Sequence, residues 1–154
     1  FVSNKKLAYI GDKAFANSTL KKFAFDTKPK MGEKVFSRNS SITYSKGLKK
    51  AGTSIEFAKL RKKKYTIRFA KVNGATGYEV KFKSAKYKKT FTTKKNVFTK
   101  AVSKNDVNKM GITNGIEEDG TWTAGTVMVR PYKVDKKKKI YGKWTTKTLV
   151  LYYE

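Results

Sequence analysis

The sequence predicts a mostly β protein, with a short solenoid of repeated coils over residues 1–50 and an antiparallel β-sandwich over residues 54–154. Three observations lead there. "IGDKAF" at 10–15 recurs twenty-one positions later as "MGEKVF" at 31–36. From about Ser54 onward, apolar residues alternate with charged ones. The alternating stretches are short and bounded by turn residues, and few helical patterns interrupt them.

In residues 1–50, "DKAFANSTLKKFAF" places Ala14, Phe15, Leu20, Phe23 and Phe25 at mixed spacings that fit neither one helix nor one strand. A recurrence of about 20 to 29 residues points to a leucine-rich-repeat-like solenoid, each unit giving a short strand and a turn. Two units cannot bury their faces alone, so the sandwich must cap them or further repeats must precede them.

In "KYTIRFAKV", Tyr65, Ile67 and Phe69 alternate with Lys64, Thr66 and Arg68; in "GYEVKFK", Tyr78, Val80 and Phe82 alternate with Glu79, Lys81 and Lys83. Both read as strands with one buried and one charged face. The intervening "NGATG" supplies residues able to take positive φ, so these two strands are expected to be sequential neighbours. Strands follow at 89–93 and 96–102. "SKNDVNKMG" then predicts a short helix, with Ser103 as its N-cap and Gly111 as its stop. After the acidic loop "NGIEEDG", alternation resumes in "GTVMVRPYKV", where Pro131 predicts an edge or bulged position. The last strands are "IYGKWTTK" and "TLVLYY", reached through the turn "VDKKKKI".

Composition limits the chemistry. The 154 residues include 37 Lys plus Arg against 11 Asp plus Glu, a formal charge of +26. Such a field favours polyanionic neighbours and says nothing about fold. With no Cys and no His, thiol chemistry, disulfides, Cys/His metal sites and imidazole-based catalysis are excluded. The 38% hydrophobic content, 14% of the chain being aromatic, is enough to fold. The opening "FVSNKK" has no initiator Met and no apolar run of signal-peptide or membrane-span length follows, so the chain is expected to be soluble, without a membrane span, and a trimmed piece of something longer.

"YIGDKAFANSTLKKFAF" and "MGEKVFSRNSSITYSKG" resemble the BspA-type leucine-rich repeat of bacterial surface proteins. Ile10, Gly11, Ala14 and Phe15 match the first unit, and Met31, Gly32, Val35 and Phe36 match the second with two conservative departures. From Thr53 on, "YTIRFAKVNGATGYEVKF" and "YGKWTTK" are similar to the fibronectin type III-like domains of Lys-rich surface proteins in Gram-positive bacteria. Phe69 stands for that family's Trp, and Gly125 stands where its corner Tyr belongs. The resemblance implies a secreted or cell-surface module for adhesion or protein presentation, with a host matrix protein as one class of partner.

The candidate sites follow from charge and aromatics. Arg61, Lys62, Lys63 and Lys64, then Lys86, Lys88 and Lys89, then Lys136, Lys137, Lys138 and Lys139 are candidates for holding an anionic wall polymer, an acidic glycan or nucleic acid, with Tyr65 and Tyr87 interleaved as stacking platforms. The plainer reading is that these runs are solvated turns. Arg is scarce, with Arg38, Arg61, Arg68 and Arg130 only, so sequence-specific nucleic-acid readout is not expected. Glu117, Glu118 and Asp119 form the one acidic concentration, more naturally an exposed loop than a Ca²⁺ site. Trp122 and Trp144, with Tyr132 and Tyr141, are a candidate glycan platform, although burial is the commoner use of aromatics in a sandwich. No motif sets a nucleophile beside a base, so no catalytic residue, cofactor or metal ligand is expected.

Overall fold

The computed structural model describes residue 2 and residues 7–110 and 121–152. In chain order the strands are β1 (Tyr9–Ile10), β2 (Lys22–Phe25), β3 (Lys30–Met31), β4 (Ser41–Tyr44), β5 (Ile55–Arg61), β6 (Lys64–Phe69), β7 (Lys71–Val72), β8 (Gly77–Lys83), β9 (Lys88–Thr93), β10 (Val97–Ala101), β11 (Thr121–Asp135), β12 (Lys138–Tyr141) and β13 (Thr145–Tyr152). A 3₁₀ turn covers Leu48–Lys50, and helix α1 covers Lys104–Met110. The protein is mostly β, as its alternation predicts.

The recurrence in the first third is a stacking distance. β1 pairs with β3 in parallel, Ile10 opposite Met31, and Phe15 bridges to Phe36 in the same sense. Each pair is displaced by the length of the repeat, so the first unit lies on the second. Backbone bonds seal the step, Lys13 N–H donating to Glu33 C=O at 2.8 Å and Phe15 N–H to Val35 C=O at 3.0 Å. The Asp12 carboxylate also accepts the Glu33 N–H at 2.7 Å, which accounts for an acid at this position of the hexapeptide. Between the coils, Phe36 stacks on Phe15 with centroids 5.6 Å apart and tilts against Phe23 at 4.4 Å. The repeated Phe is thus inter-coil filling.

A second parallel ladder runs past residue 50. β2 pairs with β4, and β4 pairs with β7, all in parallel, so a strand from the second part of the chain continues the stack. Lys71 N–H donates to Ser40 C=O at 2.9 Å and Asn73 N–H to Ile42 C=O at 2.8 Å. Tyr44 and Thr53, both buried, lock the same seam by donating to Gly52 C=O and Ala70 C=O.

The remaining strands form one sheet in the order β10-β6-β5-β13-β11-β8-β9, with β12 beside β11. Every pairing in it is antiparallel except β5 with β13, where Leu60 faces Leu151. The sheet folds over so that its two ends face each other. Tyr65 of β6 stacks on Phe82 of β8 at 4.0 Å, Phe69 meets Tyr78 edge-on at 4.7 Å, and Phe91 of β9 stacks on Phe98 of β10 at 5.6 Å. Period-two alternation selects these side chains, since one face of each strand must leave water.

Three local expectations are revised. β6 and β8 are not paired neighbours across "NGATG": both edges of β6 are occupied by β5 and β10, and the connection crosses between layers through β7. Tyr78 OH accepts the Val72 N–H at 2.8 Å and holds that crossing in place. Pro131 is neither at an edge nor bulged but lies opposite Tyr78 in the middle of β11. Its carbonyl accepts the Gly142 N–H, so its nitrogen, which has no proton to donate, faces the gap where pairing passes from β13 to β12. The bulge falls instead between Thr123 and Thr126. There Gly125 has φ 111°, and a Cβ would lie 2.5 Å from the Lys83 carbonyl. Within α1, Ser103 Oγ accepts the Asp106 N–H at 3.1 Å, as its N-cap role predicts. The stop expected at Gly111 lies outside the described residues.

Two of the Lys runs are hairpin tips of the same kind. Lys62 and Lys63 (φ 47° and 55°) join β5 to β6, and Lys136 and Lys137 (φ 44° and 68°) join β11 to β12. Positive φ at both central positions makes these type I′-like turns, for which Asn-Gly is the favoured pair. All six non-glycine residues of positive φ among the described residues are Lys, including Lys13 and Lys34 at matching places in the two coils. Such residues cost about 1 kcal/mol or more each. Replacing Lys136 by Asn and Lys137 by Gly together is therefore expected to raise stability by about 1 kcal/mol, a rise of roughly 3 °C in Tm for a chain of this size. An unchanged or lower melting temperature would count against the strain.

Candidate polyanion-binding surface

The registers place the predicted cations at two ends of the sheet. The β5–β6 tip carries Arg61, Lys62, Lys63 and Lys64, and the turn from β8 to β9 carries Lys86, with Lys88 and Lys89 beginning β9. Both tips belong to one end, bridged by α1: Val102 N–H donates to Lys63 C=O at 2.8 Å, and Lys86 N–H to Lys109 C=O at 3.3 Å. Ser84 Oγ–H caps the helix end by donating to Met110 C=O. Lys136, Lys137, Lys138 and Lys139 lie at the opposite end. Nine strand positions of β11 separate Asp135 from Thr126, which faces Lys83, and at ~3.3 Å per residue the gap is about 30 Å. The three runs are therefore not one surface.

Several of these cations are already engaged. Lys89 Nζ pairs with Asp106 at 2.7 Å, and this contact raises the ammonium pKa and lowers that of the carboxyl. Lys139 Nζ lies 4.5 Å from the centroid of the Tyr132 ring, and Lys138 is directly opposite Asp135. The proposed stacking platforms are absent from the surface. Tyr65 is 1% exposed and Tyr87 4%, both in the core beneath the cations. Burial, and then the neighbouring Tyr87 side chain, push the Tyr65 hydroxyl far above its ordinary pKa, and its O–H points to Met110 Sδ at 3.7 Å.

The glycan platform is also occupied. Arg130 lies between Tyr141 (3.8 Å to the centroid) and Trp144 (4.4 Å), and Lys81 Nζ lies 5.7 Å from the Trp144 ring. Tyr132 meets Tyr141 edge-on at 6.3 Å. Glu79 accepts both the Arg130 Nε–H at 2.9 Å and the Nη2–H at 2.7 Å. The aromatics thus hold a protein cation across the outer faces of β8, β11, β12 and the loop before β13. The side chain of Trp122, and Glu117, Glu118 and Asp119, lie outside the described residues.

Sequence reasoning missed Lys59 and Arg68, which share a face with the predicted Arg61 and Lys64. The outward members of β5 and β6 are Phe57, Lys59 and Arg61 on one strand and Lys64, Thr66 and Arg68 on the other, with Lys59 opposite Thr66 and Arg61 opposite Lys64. Lys59, Arg61, Lys62, Lys64 and Thr66 surround a shallow basin of about 310 Å³. Alternation makes this row legible, because Ala58, Leu60, Tyr65 and Ile67 are the buried partners. Attention to uninterrupted Lys runs concealed it.

A cleft of about 260 Å³ also opens where the coils meet the sheet, lined by Asp12, Lys28, Glu33, Trp144 and Lys147 among others. Burial lowers the Lys28 pKa. Its acids have structural duties, Asp12 capping the Glu33 N–H and Glu33 pairing with Lys147 at 3.3 Å.

Among the described residues no helix is long and apolar enough to cross a membrane. Compared with family models, with curated proteins and with solved structures, the chain matches none.

Proposed function

We propose that the chain is a non-catalytic module of a bacterial cell-surface or secreted protein, serving adhesion or protein presentation. In this reading the last coils of a BspA-type leucine-rich-repeat stack are sealed by a fibronectin type III-like sandwich. The observation that carries it is the parallel ladder β2-β4-β7, in which a strand of the sheet-forming part closes the coil stack. One layer of β10, β6 and β5 facing another of β13, β11, β8 and β9 supports the sandwich half. A host matrix protein is the partner class this reading offers. Protease treatment of intact producing cells tests it: cleavage of the chain on whole cells is expected, and complete protection until lysis would sink the reading.

A second reading, attachment to a polyanion, is favoured by the gathering of the Arg61–Lys64 and Lys86–Lys89 cations at one end of the sheet. Binding to heparin-like and nucleic-acid polymers should weaken steeply with salt, with a log–log slope of roughly −4 if about five charges are neutralised. No binding even at low salt would eliminate it.

A further inference from the structure

We propose that the cleft where the coils meet the sheet binds a small acid, one carboxylate carried on a single ring, with the Lys28 ammonium as its anchor and Trp144 as the surface for the ring. This goes beyond the adhesion reading and is independent of the polyanion reading, whose cations lie at the tips of the sheet.

The charges lining the cleft are Asp12, Glu33, Lys28 and Lys147, and three of them are accounted for. Glu33 pairs with Lys147 at 3.3 Å, and the Asp12 carboxylate accepts the Glu33 N–H at 2.7 Å. Lys28 is the remainder. Its backbone N–H donates to Lys50 C=O at 2.9 Å, whereas its ammonium has no partner among the described residues. The residue is half-buried, and burial lowers its pKa with no neighbouring carboxylate to offset the effect. An ammonium taken partly out of water without a counter-charge is costly, and a carboxylate in the cleft would supply one.

The position of that ammonium is built into the fold. The Lys28 stem runs through a notch left by Gly52, where a Cβ would lie 2.6 Å from Lys28 Cε and closer still to Cδ. Gly52 is itself buried, and its carbonyl accepts the Tyr44 O–H at 2.7 Å. Any larger residue at 52 would push the stem aside.

Size and charge then narrow the ligand. At about 260 Å³ the cleft is smaller than a typical drug-sized pocket and takes one ring with its substituents. One unmatched cation asks for one negative charge, and the carboxylates of Asp12 and Glu33 on the same walls repel a dianion or a polyanion. Trp144, held by Arg130 at 4.4 Å from its ring centroid, gives the cleft an aromatic surface, and Ser54, Thr145 and Thr146 give it hydroxyl-bearing residues. An aromatic acid and a sugar acid share this chemistry.

The test titrates the whole chain with benzoate and with glucuronate, beside acetate and the uncharged benzamide and glucuronamide. Chemical-shift mapping on the unaltered protein, free of any folding question, should give saturable changes centred on residues 28, 52–55 and 144–147. Lys28→Met should lower affinity at least tenfold, as should replacing either acid by its amide, while Lys95→Met, of equal charge change, should alter it by less than about twofold. Gly52→Ala keeps every charge and displaces the Lys28 stem, so it too should lower affinity at least tenfold. Tighter benzoate would support an aromatic acid, and tighter glucuronate a sugar acid. Shifts centred elsewhere, or equal losses in Lys28→Met and Lys95→Met, would overturn the site. Unchanged affinity in Gly52→Ala would overturn Lys28 as a positioned anchor, and acetate binding as tightly as benzoate and glucuronate would overturn the ring.

Discussion

Replacing Phe36 with alanine is expected to cost about 3 to 5 kcal/mol, the largest single loss available in the first third of the chain. Phe36 is fully buried. Its ring touches one ring from the neighbouring coil, Phe15, and two from the strand between the repeated hexapeptides, Phe23 and Phe25, at centroid distances of 5.6, 4.4 and 6.1 Å. Truncation removes the apolar area and leaves a void between coils that are tied by parallel backbone ladders and cannot close on it. Phe15→Ala should cost less, because Phe15 is only partly buried. Urea denaturation measures both losses. Hydrogen exchange adds a spatial readout, in which the Lys13 and Phe15 amides that bond across the coils should lose protection before those of β8 and β11. A loss below about 1 kcal/mol for Phe36→Ala would mean that the repeat is not held by its aromatic filling.

Much of this fold was legible because its signals are local or strictly periodic. The hexapeptide repeat carries its own register, so Ile10 meets Met31 and Phe15 meets Phe36 at the spacing visible in the sequence. Alternation likewise identified the buried faces of β6 and β8. What stayed hidden is which strands meet. Tyr65 and Phe82 stack face to face, and nothing in either strand distinguishes a neighbour in the same layer from a partner across the core. The site was half legible for a related reason. Runs such as "RKKK" attract notice as charge, yet two of their lysines hold a turn, and Lys59 and Arg68, which share a face with Arg61 and Lys64, are set apart from them in the sequence by the buried Leu60, Tyr65 and Ile67. Tyr65 failed as a platform because it is in phase with the buried Ile67 and Phe69 of β6, and Tyr87 is likewise 4% exposed.

Arg130→Ala is expected to cost about 3 to 4 kcal/mol, and Arg130→Lys about 2. The Arg130 side chain is 24% exposed and that of Glu79 12%, so the pair is screened far less than a surface salt bridge. Two donors of Arg130 converge on one oxygen of Glu79, and the same plane stacks between Tyr141 and Trp144. Lysine restores the charge but has neither the second fixed donor nor a plane to stack, so it should recover only part of the loss. Glu79→Gln should destabilise by a different route. It leaves Arg130 and Lys81, both against the Trp144 ring, without a counter-charge in a chain of formal charge +26. Added salt should therefore narrow the gap between Glu79→Gln and the unaltered protein more than it narrows the gap for Arg130→Ala, since salt screens repulsion and cannot replace stacking. A double-mutant cycle over positions 79 and 130 should return a coupling of at least ~1 kcal/mol. Stability of Arg130→Lys equal to that of the unaltered protein would show that charge alone acts at this position and that the two aromatics are only neighbours.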